Sequence, residues 1–220
     1  MTRRILVKYG GNAMRSETMQ EQVIHAMVEL KNRGLQVIIV HGGGPFIAEQ
    51  LDSAGIRSEF IDGHRKTTTE AMPHIEMALK GRVNGQLVSL FNKYGSLALG
   101  ISGKDAQTVV AKRRKHILID KNGKDREVDI GWVGDVASVN VNFLDNMLEE
   151  EITPVIACLG TDLEGNDYNI NADMMAGHIA GVLTVDHFVV LTDIDGLRRD
   201  VNDENTKIDR INIRELRGLF

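Results

Sequence analysis

Two apolar runs of this chain end in glycine clusters. Ile5-Leu6-Val7-Lys8-Tyr9 runs into Gly10-Gly11-Asn12, and Val37-Ile38-Ile39-Val40 runs into His41-Gly42-Gly43-Gly44-Pro45. Such runs read as buried strands. Glycine after the strand lets backbone N–H groups approach a ligand that a Cβ would exclude, and successive N–H groups in a tight turn face an anion. Lys8 stands beside the first loop. A strand, a glycine-rich turn, a following helix and one cation form a recurring device for polyphosphate chemistry.

Strand-like and helix-like stretches alternate along most of the 220 residues, which implies helices on both faces of a mostly parallel sheet. Met19, Val23, Ile24, Met27, Val28 and Leu30 mark a helical stripe over 17–33 that stops at Gly34. A strand over 36–41 follows, then a helix over 45–54 with Pro45 at its first turn and Gly55 after its last. A long helical segment from Thr69 to Tyr94 leads to a strand over 97–101. The stretch 107–139 breaks the rhythm with short β-like runs joined by turn chemistry such as Lys121-Asn122-Gly123-Lys124. Helix 141–150, strand 153–159, a polar loop, helix 171–182 and strand 187–192 complete the pattern. The expected fold is α/β, a mostly parallel central sheet in an αβα sandwich with a β-hairpin insertion around 107–139, as one domain over 1–220.

Composition narrows the function. A net charge of −5 argues against a general nucleic-acid binder, and the basic run Lys112-Arg113-Arg114-Lys115-His116 reads as a solvated hairpin face. Cys158, the single cysteine, excludes an intrachain disulfide and reads as a structural thiol in a buried strand. No apolar stretch reaches transmembrane length, and no export-type segment opens the sequence, so a soluble cytoplasmic protein is expected. The seven histidines show no cysteine or histidine cluster of metal-ligand spacing, and His41 reads as closing a tight turn.

Open α/β sheets bind ligands beyond the carboxyl ends of their strands. Besides the two glycine loops, those positions hold Gly100-Ile101-Ser102-Gly103-Lys104-Asp105, Gly160-Thr161-Asp162 and Leu191-Thr192-Asp193-Ile194-Asp195-Gly196. The dinucleotide fingerprint does not follow either early strand. Gly103-Lys104 lacks both the first P-loop glycine and the hydroxyl residue after the lysine, and no G-x-S-x-G elbow accompanies His41-Gly42-Gly43-Gly44. In Tyr168-Asn169-Ile170-Asn171-Ala172-Asp173, Asn171 can cap a helix and Asp173 can complement its dipole, or Asp173 can fix the position and charge of Lys8. Arg65, before a helix, reads equally as a clamp for a substrate carboxylate or as surface charge.

These motifs resemble the amino acid kinase family. Lys8-Tyr9-Gly10-Gly11-Asn12, His41 to Pro45, Asn84-Gly85-Gln86-Leu87, Gly100 to Asp105, Val133-Gly134-Asp135-Val136 and Tyr168 to Asp173 stand in family order over nearly the whole chain. The resemblance implies ATP-dependent phosphorylation, with Mg2+, of the γ-carboxylate of N-acetyl-L-glutamate, the second step of arginine biosynthesis by the acetylated route, in a homodimer. Related activities on an aminoadipate derivative or carbamate, and a non-catalytic amino-acid-binding relative, are the alternatives. By motif position, Lys8 neutralises charge on the transferring phosphoryl group and Asp173 organises the lysine. Gly10, Gly11, Gly43 and Gly44 donate from the backbone, Arg65 and Asn169 hold the α-carboxylate, and Asn12, Thr192 and Asp193 lie on the ATP side.

The sequence departs from the family pattern in three places. Gly63-His64-Arg65-Lys66-Thr67 replaces a glycine-leucine-arginine-valine-threonine run. A Gly-Gly-Met-x-Pro-Lys-type segment, with a second phosphoryl-binding lysine, does not appear before Phe220. Four residues precede Ile5, fewer than the amino-terminal helix of arginine-inhibited members, so insensitivity to L-arginine is expected.

Overall fold

Five apolar runs lie side by side as parallel strands in the order β13-β1-β2-β10-β5: His187–Leu191, Arg4–Tyr9, Gln36–His41, Thr153–Ala157 and Ala98–Ser102. Tyr9 pairs with both His41 and Leu191, so the residues after β1, β2 and β13 emerge together at one edge. The computed structural model describes residues 2–119, 123–192, 194, 196–200 and 202–219, with positions 12 and 13 described by backbone alone.

Side chains alternate between faces along a strand, yet Val37 through His41 are all buried, so both faces of the sheet are covered at this central strand. α6 (Ala172–Val182) packs on β1, β2 and β13, while α4 (Asn84–Lys93) packs on β5 and β10. Leu6, Ile38, Ile39, Val155 and Ile156 are buried to within 1% in this layer. Each such side chain contributes about 1.5–3 kcal/mol relative to an exposed one.

Local chemistry sets several boundaries. Ser16 caps α1 (Glu17–Asn32) by accepting from the Met19 N–H, and α2 (Gly44–Ser53) begins with Pro45 in its first turn. The expected helix from Thr69 to Tyr94 is helical over Ala71–Lys93, but its middle, Met77–Val83, is a π-helix between α3 (Ala71–Glu76) and α4. Apolar spacing does not distinguish a π turn from an α turn over so short a span.

The expected hairpin insertion belongs to a larger unit. β6 (Val109–Arg113), β9 (Val133–Val139), β11 (Leu159–Thr161) and β12 (Asp167–Ile170) close a small barrel, and β7 (His116–Ile119) pairs antiparallel with β8 (Asp125–Val128) as a separate two-stranded sheet. Two expectations are corrected here. The polar loop after strand 153–159 holds a strand pair, in which buried Tyr168 and Ile170 alternate with half-buried Asp167 and Asn169. Gly160-Thr161-Asp162 consequently lies in the barrel; β10 stops at Ala157, and Cys158 follows it at the sheet edge. The basic run 112–116 is largely solvated, but His116 is buried against His64, its ring centroid 5.2 Å away.

Candidate active site

The carboxyl ends of β1, β2 and β10 open on a cavity of about 250 Å3. Lys8, Gly10, Gly11, Gly42, Gly43, Gly44, Arg65, Asn169 and Asp173 line it, with Phe60, His64 and Cys158. The geometry thus brings together most residues expected from sequence. Thr192 follows β13 next to Gly10 in the register, and its Oγ1 accepts from the Ile194 N–H at 3.5 Å; it does not line the cavity. The side chain of Asn12 and the whole of Asp193 lie outside the described residues.

Lys8 points along β1 into the cavity and ends 3.1 Å from Asp173 Oδ1. Asp173 is placed by its helix: Asn171 Oδ1 accepts from the N–H groups of Asp173 and Met174, fixing the first turn of α6. Gly10 is part of the same arrangement, since a Cβ there would stand 3.2 Å from Lys8 Cε and Nζ. Gly11, at φ 77°, turns the chain out of the strand.

The second loop joins β2 to the start of α2. A Cβ on Gly43 would collide with Leu79 Cδ2 at 2.8 Å, whereas a Cβ on Gly44 would meet no protein atom within 4 Å. The Gly44 position borders open cavity. Among the described residues no acceptor takes the Gly43 or Gly44 N–H, so two backbone donors at a helix N-terminus remain available.

Arg65 reaches the cavity from a two-strand hairpin, β3 (Phe60–Ile61) and β4 (His64–Arg65), turned by Asp62 and Gly63 at φ 46° and 75°. Its guanidinium lies 4.5 Å from the Phe60 ring centroid, donates to the Gly44 carbonyl at 3.2 Å, and bonds Ser58 Oγ. Burial pulls its pKa down from the ordinary value. Among the described residues no carboxylate forms an ion pair with it, so a partly desolvated cation faces the cavity without an anion. Asn169 stands across from it and donates to Thr67 Oγ1 at 3.2 Å, while Thr67 Oγ1 donates to the Arg65 carbonyl at 3.1 Å.

Sequence reasoning missed Thr67, a fully buried hydroxyl that ties Asn169 to the Arg65 backbone, and Phe60, which carries the guanidinium. Asp62-Gly63 was the available signal, since that dipeptide favours a two-residue hairpin and pairs Phe60 with Arg65. Cys158 is buried, and burial pushes its thiol up to about 12. Lys104, at the rejected P-loop, is occupied by Glu76 and Asp167 at 2.9 and 2.7 Å. A wider depression of about 620 Å3 lies at the amino-terminal end of the sheet, near Gln36, Leu97 and Thr153. Its cation, Lys31, already donates to the carbonyls of Leu97 and Glu151.

The chain is 39% identical to an acetylglutamate kinase of Methanococcus maripaludis strain C5 over 217 residues, 99% of this chain and 74% of that protein. It is 41% identical to an acetylglutamate kinase of Nostoc punctiforme, over 99% of this chain and 70% of the other. Its fold is similar to that of N-acetylglutamate synthase from Neisseria gonorrhoeae, with a TM-score of 0.79 at 16% identity over 99% of this chain and 47% of that one. The model of the amino acid kinase family matches residues 3–219. With its parallel sheet, paired glycine loops and strand-end lysine, the chain belongs to the amino acid kinase family.

Proposed function

We propose that this protein transfers the γ-phosphoryl group of ATP to the γ-carboxylate of N-acetyl-L-glutamate. The observation that carries the reading is the convergence on one cavity of Lys8, the free N–H groups of Gly43 and Gly44, and the unpaired Arg65 guanidinium. The names of relatives at 39% and 41% identity favour acetylglutamate over carbamate or an aminoadipate derivative.

A carboxylate is already ionised at neutral pH and needs no general base. Transfer instead requires in-line placement and cancellation of repulsion between two anions. Arg65 and Asn169 hold the α-carboxylate, and Gly43 and Gly44 donate to the γ-carboxylate and the incoming phosphoryl oxygens. One γ-carboxylate oxygen forms the new bond to phosphorus as the bond to the bridging oxygen of ADP breaks. Lys8 offsets the charge that redistributes onto the equatorial and bridging oxygens, and Asp173 keeps the ammonium aimed there. Gly10, Gly11 and Thr192, where β1 and β13 end, are assigned to the ATP side. Magnesium entering with ATP would supply further charge neutralisation on the transferring group.

The reading includes one kinase domain, supported by a continuous core joining sheet and barrel, and a homodimer, supported by exposed Leu99 on the edge strand β5 and exposed Leu97 just before it. It places the enzyme in the cytoplasm, where a buried free thiol such as Cys158 stays reduced. No helix among the described residues is long and apolar enough to cross a membrane. Phosphorus NMR of the protein with ATP, magnesium and N-acetyl-L-glutamate tests the assignment: ADP and an acyl phosphate should appear together. ADP with inorganic phosphate alone, at a rate indifferent to the acid, would refute it.

A further inference from the structure

Beneath the second glycine loop lies a polar pair that the phosphoryl-transfer reading leaves unused. His41, the last residue of β2, is fully buried, and so is Asn84 at the start of α4 apart from 2%. Asn84 Nδ2 lies 2.8 Å from the Val155 carbonyl oxygen and 2.9 Å from His41 Nε2. A carbonyl only accepts, so the amide atom facing it is the NH2 group; its second hydrogen is directed to His41 Nε2, with the Ile101 carbonyl more distant at 3.4 Å, and an NH2 nitrogen offers Nε2 no acceptor. Nε2 is therefore an acceptor, and the ring proton sits on Nδ1. Nδ1 in turn lies 2.9 Å from the Gly42 carbonyl oxygen and donates to it. Each of these ring and amide hydrogens has a partner, which fixes the tautomer and the ring plane together.

The bond to the Gly42 carbonyl has a consequence across the peptide plane. In a trans peptide the C=O and the following N–H point in opposite directions. Holding the Gly42 oxygen inward, against a buried imidazole, turns the Gly43 N–H outward, toward the cavity that Gly42, Gly43 and Gly44 line. A Gly-Gly peptide without this anchor has little steric reason to keep one orientation. Gly100 completes the support, because a Cβ at that position would stand 2.0 Å from Asn84 Oδ1.

We propose that His41, held as its neutral Nδ1–H tautomer by Asn84, is a positioning residue that aims the Gly43 N–H at the reacting oxygens. The proposal rests on the reading of the cavity as a phosphoryl-transfer site. Burial agrees with a neutral ring, since it pushes the imidazole down to about 4, with the Lys80 ammonium adding to the effect.

Two side chains separate this role from simple packing. In His41→Asn the amide NH2 can occupy the place of Nδ1, whereas in His41→Gln it can reach only the place of Nε2. His41→Asn should retain kcat within about tenfold, while His41→Gln and His41→Leu, judged folded by circular dichroism, should lose about a hundredfold, the scale of one misaimed donor. KM for ATP should stay constant across the three. Nitrogen-15 NMR of wild-type His41 should show a protonated Nδ1 and a bare Nε2. An Nε2–H tautomer, a Gln variant as active as the Asn variant, or a folded Leu variant with wild-type kcat would each overturn the proposal. A wild-type protein inactive toward N-acetyl-L-glutamate would instead overturn the functional reading on which it rests.

Discussion

Lys8 Nζ lies 3.1 Å from Asp173 Oδ1, joining the end of β1 to the first turn of α6. The two ends of this pair differ, with 12% of the lysine side chain and 57% of the aspartate side chain exposed. The ammonium is thus the sheltered member, directed from the strand into the cavity, and the carboxylate steadies it from the solvent side.

Lys8→Ala should lower kcat by about two to three orders of magnitude, the scale of removing one transition-state donor, and change either KM far less. Steady-state kinetics with both substrates varied measures the split. A loss below about tenfold in kcat would reduce Lys8 to a strand-end cation.

Arg65→Lys keeps the charge but loses the planar fork and its seat on Phe60. KM for N-acetyl-L-glutamate should rise about tenfold or more, as expected for a lost charge-assisted hydrogen bond, and KM for ATP should hold. Equal weakening of both substrates would indicate a general disturbance of the fold.

Gly44 and Gly100 make opposite predictions for one added methyl. Gly44→Ala adds a methyl in open space, with no protein atom within 4 Å, at a residue that lines the cavity, so the urea midpoint should hardly move while acceptor binding weakens. Gly100→Ala drives a Cβ to 2.0 Å from Asn84 Oδ1 and should cost about 1–3 kcal/mol of stability. Chemical denaturation of both variants checks the contrast.

These residues also show what the sequence could and could not reveal. β2 was legible to the residue because a continuous apolar run needs burial on both faces, and α6 because Asn171 caps it. The barrel was not legible. β11 and β12 are 3 and 4 residues long, and partners from β6 and β9, distant in sequence, are what make them strands. Lys8 and Asp173 were recognisable as candidates, but their contact depends on α6 crossing back over β1. Arg65 was ambiguous between clamp and surface charge, since its exposure depends on a hairpin whose Asp62-Gly63 turn passed unnoticed. His41 by itself reads as turn closure, because its partner Asn84 sits on another element, beyond any local pattern.

Stability should fall at both ends of the pH scale. Burial holds the Cys158 thiol at about 12 against an ordinary 9.0, and the Tyr9 phenol at about 12 against 10.0. The unfolded chain releases these protons first, so their stabilisation is complete below pH 9 and is lost as pH rises from 9 toward 12. At the acid end His41 is held at about 4 against 6.5. The unfolded chain takes up that proton first, so stability is complete above pH 6.5 and is lost as pH falls toward 4. In urea titrations across pH, Cys158→Ala should flatten the alkaline limb by at most ~1.4 kcal/mol per pH unit, the value for one proton. An unchanged alkaline slope would contradict the assignment to Cys158.

Hydroxylamine trapping tests the central claim most directly, because an acyl phosphate is converted to a stable hydroxamate as it forms. With ATP and magnesium, the full-length protein should yield the γ-hydroxamate of N-acetyl-L-glutamate, with L-glutamate reacting poorly and carbamate giving no ATP-dependent product. Comparable turnover of free L-glutamate, or no hydroxamate from N-acetyl-L-glutamate while ATP is consumed, would contradict the account.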